Sequence, residues 1–156
     1  MIHGDFNEQN VIVRPDAGSS SGVSVVAVID FGDSEHGPYV YELAIAIMYG
    51  MLQAGRHGQA VVDPLDVGGH LLAGYLSRRR TLSDVERAAL KPCVAARFAQ
   101  SLTLGAYTHS LDPGNDHVLV TARRGWSLLR ELWENTTGEQ LNARIDAVLA
   151  SYGYTG

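Results

Sequence analysis

The chain has 156 residues, of which 46% are hydrophobic and 19% charged, and its net charge is −5. This composition is typical of one ordinary globular domain, and the acidic balance excludes a broad basic nucleic-acid surface. No apolar run approaches the ~20 residues that cross a bilayer, so we expect no membrane partner. Because Cys93 is the single cysteine, no intrachain disulfide can form, which suits a reducing cytoplasm. The oligomeric state stays open.

Two β-rich runs open the chain. Residues 11–13 and 23–29 are dominated by Val and Ile and predict two strands. Residues 14–22 between them contain Pro, Asp, Ser and Gly and predict a turn-forming loop. The simplest geometry is a hairpin, which brings the residues before Val11 close to those after Ile29.

The pattern becomes helical after Pro38. Residues 39–53 are apolar nearly all round and predict a buried helix. Pro64 suits the first turn of a second helix ending near Ser77, although Gly68 and Gly69 lower its helix propensity.

A capping box predicts the start of the next helix. Ser83 and Glu86 have the required spacing, and Pro92 then predicts an interruption or kink, after which a long helix continues to about His109. Residues 112–115 read Asp-Pro-Gly-Asn and predict a turn.

Two more helices complete the prediction. Residues 116–135 predict one helix whose core-facing side chains are Val120, Trp126, Leu129 and Trp133. Residues 139–151 predict the last helix. The fold class is therefore α+β: a short β-hairpin carrying two polar loops, followed by a mainly α-helical bundle. We expect a single domain in which residues 1–38 carry the loops and hairpin and residues 39–156 form the helical part.

Two polar clusters flank the predicted hairpin. The first reads His-Gly-Asp, with Asn10 five residues after Asp5, and the second reads Asp-Phe-Gly-Asp from Asp30. Phosphoryl transfer needs an oriented nucleophile and metal ions that neutralise the phosphate oxygens. Mg²⁺ prefers oxygen ligands, which Asn and Asp supply. The order and spacing parallel the paired catalytic loop and metal-binding triplet of protein kinases.

Several neighbouring residues allow two interpretations. His3 could be a ligand or base, but a structural hydrogen bond to backbone near Asp30 is favoured. Asp33 could bind a second metal ion or cap a turn. Glu42 is favoured as a helix-dipole partner or a structural salt bridge.

At these residues the sequence resembles the aminoglycoside phosphotransferase and choline kinase superfamily. The matching motifs are His3-Gly4-Asp5 with Asn10, Ile29-Asp30-Phe31-Gly32, and Gly37-Pro38. The resemblance implies a protein-kinase-like C-terminal lobe with Asp5 as the catalytic carboxylate. It implies Asn10 and Asp30 as the ligands of Mg²⁺ and, through it, of the nucleotide. His3, Gly32 and Asp33 would give structural support.

Beside the two loops, residues 39–49, 67–75 and 121–126 carry a narrower resemblance, over most of residues 2–134, to the hydroxylysine kinase family within that superfamily. It implies transfer of the γ-phosphate of GTP, or of ATP, to the hydroxyl of a small amino-alcohol, 5-hydroxy-L-lysine. Aminoglycoside, choline and homoserine remain alternative acceptors.

The superfamily's N-terminal β lobe has no counterpart in the sequence, which contains neither a Gly-rich phosphate loop nor a strand lysine. Lys91 is the only lysine and lies in a predicted helix. We therefore expect an incomplete kinase whose activity by itself is weak or undetectable, although the complete protein would be a kinase. The competing hypothesis from another class is an inactive, kinase-derived helical module that binds a partner.

Overall fold

The computed structural model describes residues 1–54, 62–78 and 81–154. Strand β1 (Val11–Pro15) pairs antiparallel with strand β2 (Val23–Val28), so the predicted hairpin is confirmed. Val11 lies opposite Val28, and the register shifts between Ile12 and Val13. Most side chains of both strands are exposed.

Five α-helices follow the hairpin in the described residues: α1 (Tyr39–Gln53), α2 (Val67–Leu76), α3 (Asp84–Leu111), α4 (Ala122–Arg130) and α5 (Gly138–Ser151). Their apolar faces form one core, which buries residues such as Met48, Leu72, Phe98 and Ile145. Truncating a fully buried aromatic such as Phe98 to alanine costs about 3–5 kcal/mol. The α+β class and the helical bundle are thus as expected. None of the described helices has the length and apolarity needed to cross a membrane.

The glycines of α2 are explained by its packing against α5. A Cβ built on Gly69 would lie 2.5 Å from the Cβ of Val148, so the two helices approach more closely than any larger residue permits. Gly69 lowers the helix propensity of α2 but allows the close contact between α2 and α5. The predicted helix from Pro64 begins as a 3₁₀ turn (Pro64–Asp66) and becomes α-helical at Val67.

Of the interruption or kink predicted at Pro92, the interruption was wrong. Helix α3 runs without interruption from Asp84 to Leu111 with Pro92 inside it, while its start is confirmed by the Ser83–Glu86 capping box. Proline removes a single backbone donor, and the packing of α3 against α1 and α4 outweighs that local loss.

The single helix predicted for residues 116–135 was also wrong. A 3₁₀ turn (Asp116–Leu119), helix α4 and a π-helical turn (Glu131–Asn135) take its place. Trp126 and Trp133, expected in the core, are each 56% exposed, whereas Leu132 is 1% exposed. The π-helical turn shifts the helical phase from Glu131 onward, which accounts for the exposure of Trp133; Trp126 precedes the turn, and its exposure has no such explanation.

Candidate active site

Two loops lie side by side at one end of the hairpin. We call residues 3–10 the His-Gly-Asp loop and residues 29–35 the Asp-Phe-Gly loop. The Ile29 N–H donates to the Asn10 carbonyl at 3.0 Å, which extends the strand pairing beyond β1 and β2. Ile2 and Glu35 form a further antiparallel bridge. Two main-chain attachments therefore fix the loops relative to each other.

Gly4 allows the closest approach between the loops. Its φ is +87°, and a Cβ built on it would lie 2.1 Å from the carbonyl oxygen of Asp33. Any side chain at this position would be strained and would also collide with backbone. Glycine is thus required for the contact that joins the loops.

His3 links the loops through its ring. Its Nε2 lies 2.9 Å from the Ile29 carbonyl oxygen, and its Nδ1 lies 3.3 Å from the Asp5 backbone nitrogen. Because the carbonyl must accept and the amide must donate, Nε2 carries the proton and Nδ1 accepts. The ring also contacts Phe31 at a centroid distance of 4.7 Å. This is the backbone hydrogen bond favoured for His3 from the sequence.

Glu42, in the first turn of α1, holds the start of the His-Gly-Asp loop. Its Oε2 accepts hydrogen bonds from the backbone N–H groups of His3 and Gly4. Within the described residues Glu42 forms no ion pair. The structural salt bridge considered from the sequence is therefore not formed there, and Glu42 instead accepts hydrogen bonds from main chain.

Asp5 lies at the centre of a hydrogen-bond cluster. Its Oδ2 accepts from the side-chain amides of Asn7 at 3.0 Å and Asn10 at 3.4 Å. Its Oδ1 accepts from Arg97 Nη2 at 2.6 Å. A carboxylate has about four acceptor positions, so these three bonds orient the group and leave capacity for an acceptor hydroxyl.

Arg97 was not found from the sequence. It comes from α3, where it also donates to the Tyr49 hydroxyl at 3.2 Å and lies over that ring, 5.5 Å from its centroid. The side chains of Arg97 and Asp5 are only 17% and 24% exposed, so the ion pair is partly shielded from water. Its sole signal in the sequence is that it stands beside Phe98 within an Ala-rich stretch of helix.

Asn10 and Asp30 lie at the ends of the paired strands. The Asn10 side chain is buried and donates from Nδ2 to the Asp5 carbonyl at 2.9 Å, which leaves its amide oxygen as the atom able to ligate a cation. Asp30 adopts the left-handed conformation (φ 64°, ψ 61°), unusual for a residue other than glycine. Such strain tends to occur at functional positions.

The donor set is compatible with a magnesium ion that is shared with a nucleotide. No hydrogen bond or ion pair engages the Asp30 carboxylate among the described side chains, so it remains available. In those same residues no cluster of three or more His, Cys, Asp or Glu could hold a metal by itself. Mg²⁺ commonly takes one or two protein oxygens and completes its shell with phosphate and water. One amide and one carboxylate oxygen fit that requirement.

Gly32 and Asp33 occupy the 3₁₀ turn after Asp30 (Phe31–Asp33). A Cβ on Gly32 would meet Asp30 Oδ1 at 3.6 Å, an ordinary contact, so the turn does not strictly require glycine there. Asp33 is exposed and meets Gly4 through its backbone carbonyl rather than its carboxylate.

A cavity of about 430 Å³ opens beside Asp5. Its walls are the His-Gly-Asp loop, the C-terminal part of α1 around Tyr49, and the segment 118–124 at the start of α4. The volume falls in the range of small-molecule binding sites. The arrangement places one oriented carboxylate at the edge of a pocket and two further oxygen-bearing side chains on the adjoining loops.

Comparison with known proteins identifies the family. The model of the phosphotransferase enzyme family APH matches residues 1–80, just over half of the chain and all of both loops. The chain belongs to the phosphotransferase enzyme family. Hydroxylysine kinase of Mus musculus is 42% identical over 135 residues, which cover 85% of this chain and 34% of that protein. Hydroxylysine kinase of Danio rerio is 41% identical over 133 residues, 85% of this chain and 35% of that protein.

This phosphotransferase family member spans about a third of the length of the curated relatives it matches. The similarity to them extends well past the family match at residue 80 and into the helical bundle. No solved structure matches the chain.

Proposed function

We propose that the chain supplies the catalytic loop, metal loop and acceptor pocket of a small-molecule kinase with a protein-kinase-like C-terminal lobe. The reaction would transfer the γ-phosphate of a nucleoside triphosphate to the side-chain hydroxyl of 5-hydroxy-L-lysine. The acceptor is suggested by the names of the relatives, which are hydroxylysine kinases. GTP as donor, in preference to ATP, rests on the resemblance alone.

The observation that carries the proposal is the setting of Asp5. Its carboxylate is fixed by Asn7, Asn10 and Arg97 at the edge of a cavity large enough for an amino acid. A carboxylate so placed can accept a hydrogen bond from the acceptor hydroxyl and orient its oxygen. In phosphoryl transfer such positioning and electrostatic stabilisation provide most of the catalysis.

The chemical step follows from these roles. The acceptor oxygen forms a bond to the γ-phosphorus while the bond from that phosphorus to the β–γ bridging oxygen breaks. Asp5 takes the hydroxyl proton, and the nucleoside diphosphate leaves with the bridging oxygen. Asn10 and Asp30 would hold Mg²⁺, which neutralises phosphate charge when bound.

The remaining predicted site residues would support these groups. His3 holds Ile29, the neighbour of Asp30, through its ring nitrogen. Gly32 and Asp33 would shape the turn that presents Asp30, and the backbone of Asp33 packs on Gly4. Arg97 acts as a positioning residue because it contacts Asp5 rather than a reacting atom. We propose that residues 1–38 and the helical residues 39–156 form one domain, because Glu42 and Arg97 of the helical part hold the His-Gly-Asp loop.

A phosphotransfer assay tests the proposal. Wild-type protein, Asp5→Asn and Asp33→Asn are incubated with Mg²⁺, GTP or ATP, and 5-hydroxy-L-lysine, and the phosphorylated amino acid is detected by mass spectrometry. We expect product with the wild type, a loss of at least about 100-fold with Asp5→Asn, and a smaller effect of Asp33→Asn. Equal turnover by wild type and Asp5→Asn would refute the catalytic role of Asp5.

The exposed hairpin supports a second candidate function. Val13 and Val25 of the hairpin and Phe31 of the adjoining Asp-Phe-Gly loop are 50%, 63% and 60% exposed, apolar side chains that could bind a protein partner. A kinase-derived binding module of this kind needs no magnesium or nucleotide. Asp30→Ala should therefore leave the module's binding to its protein partner unchanged. In a kinase, the same substitution should abolish metal-dependent nucleotide binding.

A further inference from the structure

The cavity beside Asp5 presents both signs of charge. Asp5 and Glu8 contribute carboxylates from the His-Gly-Asp loop. Arg123 and Arg124 line the same cavity from the start of α4, which forms another of its walls. A pocket for a purely cationic ligand would need only the acidic wall, so the basic wall requires a separate explanation.

The two arginines differ in their hydrogen-bond partners. Arg124 Nη1 donates to the carbonyl oxygens of Leu52 at 3.0 Å and Ala54 at 2.7 Å, so it caps the C-terminal end of α1. Arg123 is exposed and forms no hydrogen bond or ion pair with any residue that the structure describes. Arg123 is therefore a cation that lines the cavity and remains available to a ligand.

Close helix packing determines where Arg123 lies. A Cβ on Gly125 would be 2.9 Å from Leu102 Cδ2, and a Cβ on Gly105 would be 2.4 Å from the Val118 carbonyl oxygen. These two glycines let α4 and the segment before it lie directly against α3. As a result, the first turn of α4, with its positive dipole end, forms a wall of the same cavity that Asp5 borders.

We propose that Arg123 binds the α-carboxylate of an amino-acid acceptor whose side-chain hydroxyl lies at Asp5. The inference rests on the proposed kinase function and assigns the residue that would select an amino acid as its acceptor. Choline and aminoglycosides carry no carboxylate, so they leave Arg123 without a partner. Hydroxylysine would place its α-carboxylate on the basic wall, and its side-chain ammonium, one carbon from the hydroxyl, near the acidic wall.

Arginine suits this role better than lysine. Its planar guanidinium donates two parallel hydrogen bonds to one carboxylate, which fixes orientation as well as charge. Glu8 on the acidic wall is itself held by a hydrogen bond from Gln53, so its charge is fixed in place. Together the two walls select a zwitterion in one orientation.

Calorimetric titration of the full chain with matched ligands tests the proposal. The probes are 5-hydroxy-L-lysine, its decarboxylated analogue 1,5-diaminopentan-2-ol, L-homoserine and choline. The variants are Arg123→Gln, Arg123→Lys and Arg130→Gln. Arg130 is a matched control because it lies on the same helix, is exposed and, among the residues that the structure describes, forms only a long 3.8 Å ion pair with Glu134.

We expect Arg123→Gln to weaken binding of the carboxylate-bearing acceptor by about ten-fold or more, as befits a lost hydrogen bond to a charged group. Binding of the decarboxylated analogue should change by less than about two-fold, and Arg123→Lys should restore only part of the loss. Arg130→Gln should alter neither.

The outcomes separate this inference from the proposed function. If homoserine binds through Arg123 but hydroxylysine does not, the amino-acid class stands and the proposed acceptor fails. If hydroxylysine binds equally to wild type and Arg123→Gln, the acceptor stands and the role of Arg123 is overturned. The role of Arg123 is also overturned if Arg123→Gln weakens the binding of 5-hydroxy-L-lysine and of 1,5-diaminopentan-2-ol equally. It is likewise overturned if the wild-type chain binds no carboxylate-bearing acceptor.

Discussion

The ion pair between Arg97 and Asp5 offers the sharpest test of how the site is held together. Arg97→Gln removes the charge and the 2.6 Å bond to Oδ1 while it preserves much of the side-chain volume. In this variant the Asp5 carboxylate keeps its hydrogen bonds from Asn7 and Asn10, so it is held less firmly but still has two partners.

The stability effect can be bounded from the geometry. A hydrogen bond to a charged group contributes about 1.5–3 kcal/mol when buried, and solvent screening reduces this for side chains 17% and 24% exposed. We therefore expect a loss of about 1–2 kcal/mol in the free energy of unfolding. For a chain of this size that lowers Tm by about 3–6 °C.

A loss of catalytic rate should accompany the loss of stability. If Arg97 positions Asp5, Arg97→Gln lowers kcat by about ten-fold or more with little change in the acceptor KM, because misplacement mainly raises the barrier. Arg87→Gln is the matched control, because Arg87 also lies on α3 but forms its ion pair with Asp146 of α5 rather than with either loop. If Arg97→Gln left both Tm and kcat at wild-type values, the positioning role would be refuted.

Three further outcomes follow from local packing and burial. Gly4→Ala should destabilise the chain to urea by about 2–3 kcal/mol and abolish phosphotransfer, because its Cβ would collide with the Asp33 carbonyl; wild-type stability would contradict this. Gly69→Ala should cost about 1–3 kcal/mol through overpacking, whereas Gly74→Ala, with open space around it, should gain about 0.5–1 kcal/mol; the same sign for both would be inconsistent with the packing. Burial raises the pKa of the Cys93 thiol, so less thiolate exists at pH 8 and iodoacetamide should alkylate the folded chain several-fold more slowly than the urea-unfolded chain; equal rates would rule this out.

The parts of the fold that local chemistry determines could be predicted from the sequence. The hairpin follows from two Val- and Ile-rich runs around a Gly- and Ser-rich loop. The start of α3 follows from Ser83 and Glu86, whose side chains and backbones are neighbours along the chain. Such signals need no knowledge of the tertiary structure.

The parts that depend on distant contacts could not be predicted. Arg97 reaches Asp5 across 92 positions in sequence, and which face of α3 meets the loop depends on how α1 and α3 pack. The same limit explains Trp133, whose exposure follows from a π-helical turn that changes the phase of the helix. The hydrogen bonds that Glu42 accepts from main-chain N–H groups could not be predicted either, because they depend on how the His-Gly-Asp loop packs against α1.

Metal-dependent nucleotide binding tests the central claim most directly. Binding of GTP is titrated with and without Mg²⁺ for wild type, Asp30→Ala, Asn10→Ala and the nearby control Glu35→Gln, whose carboxylate is not a proposed ligand. We expect Mg²⁺ to strengthen binding by ten-fold or more in the wild type and the control, and to have little effect in either ligand variant. Magnesium dependence that is unchanged in Asp30→Ala and Asn10→Ala would contradict a phosphotransfer centre built from these two loops.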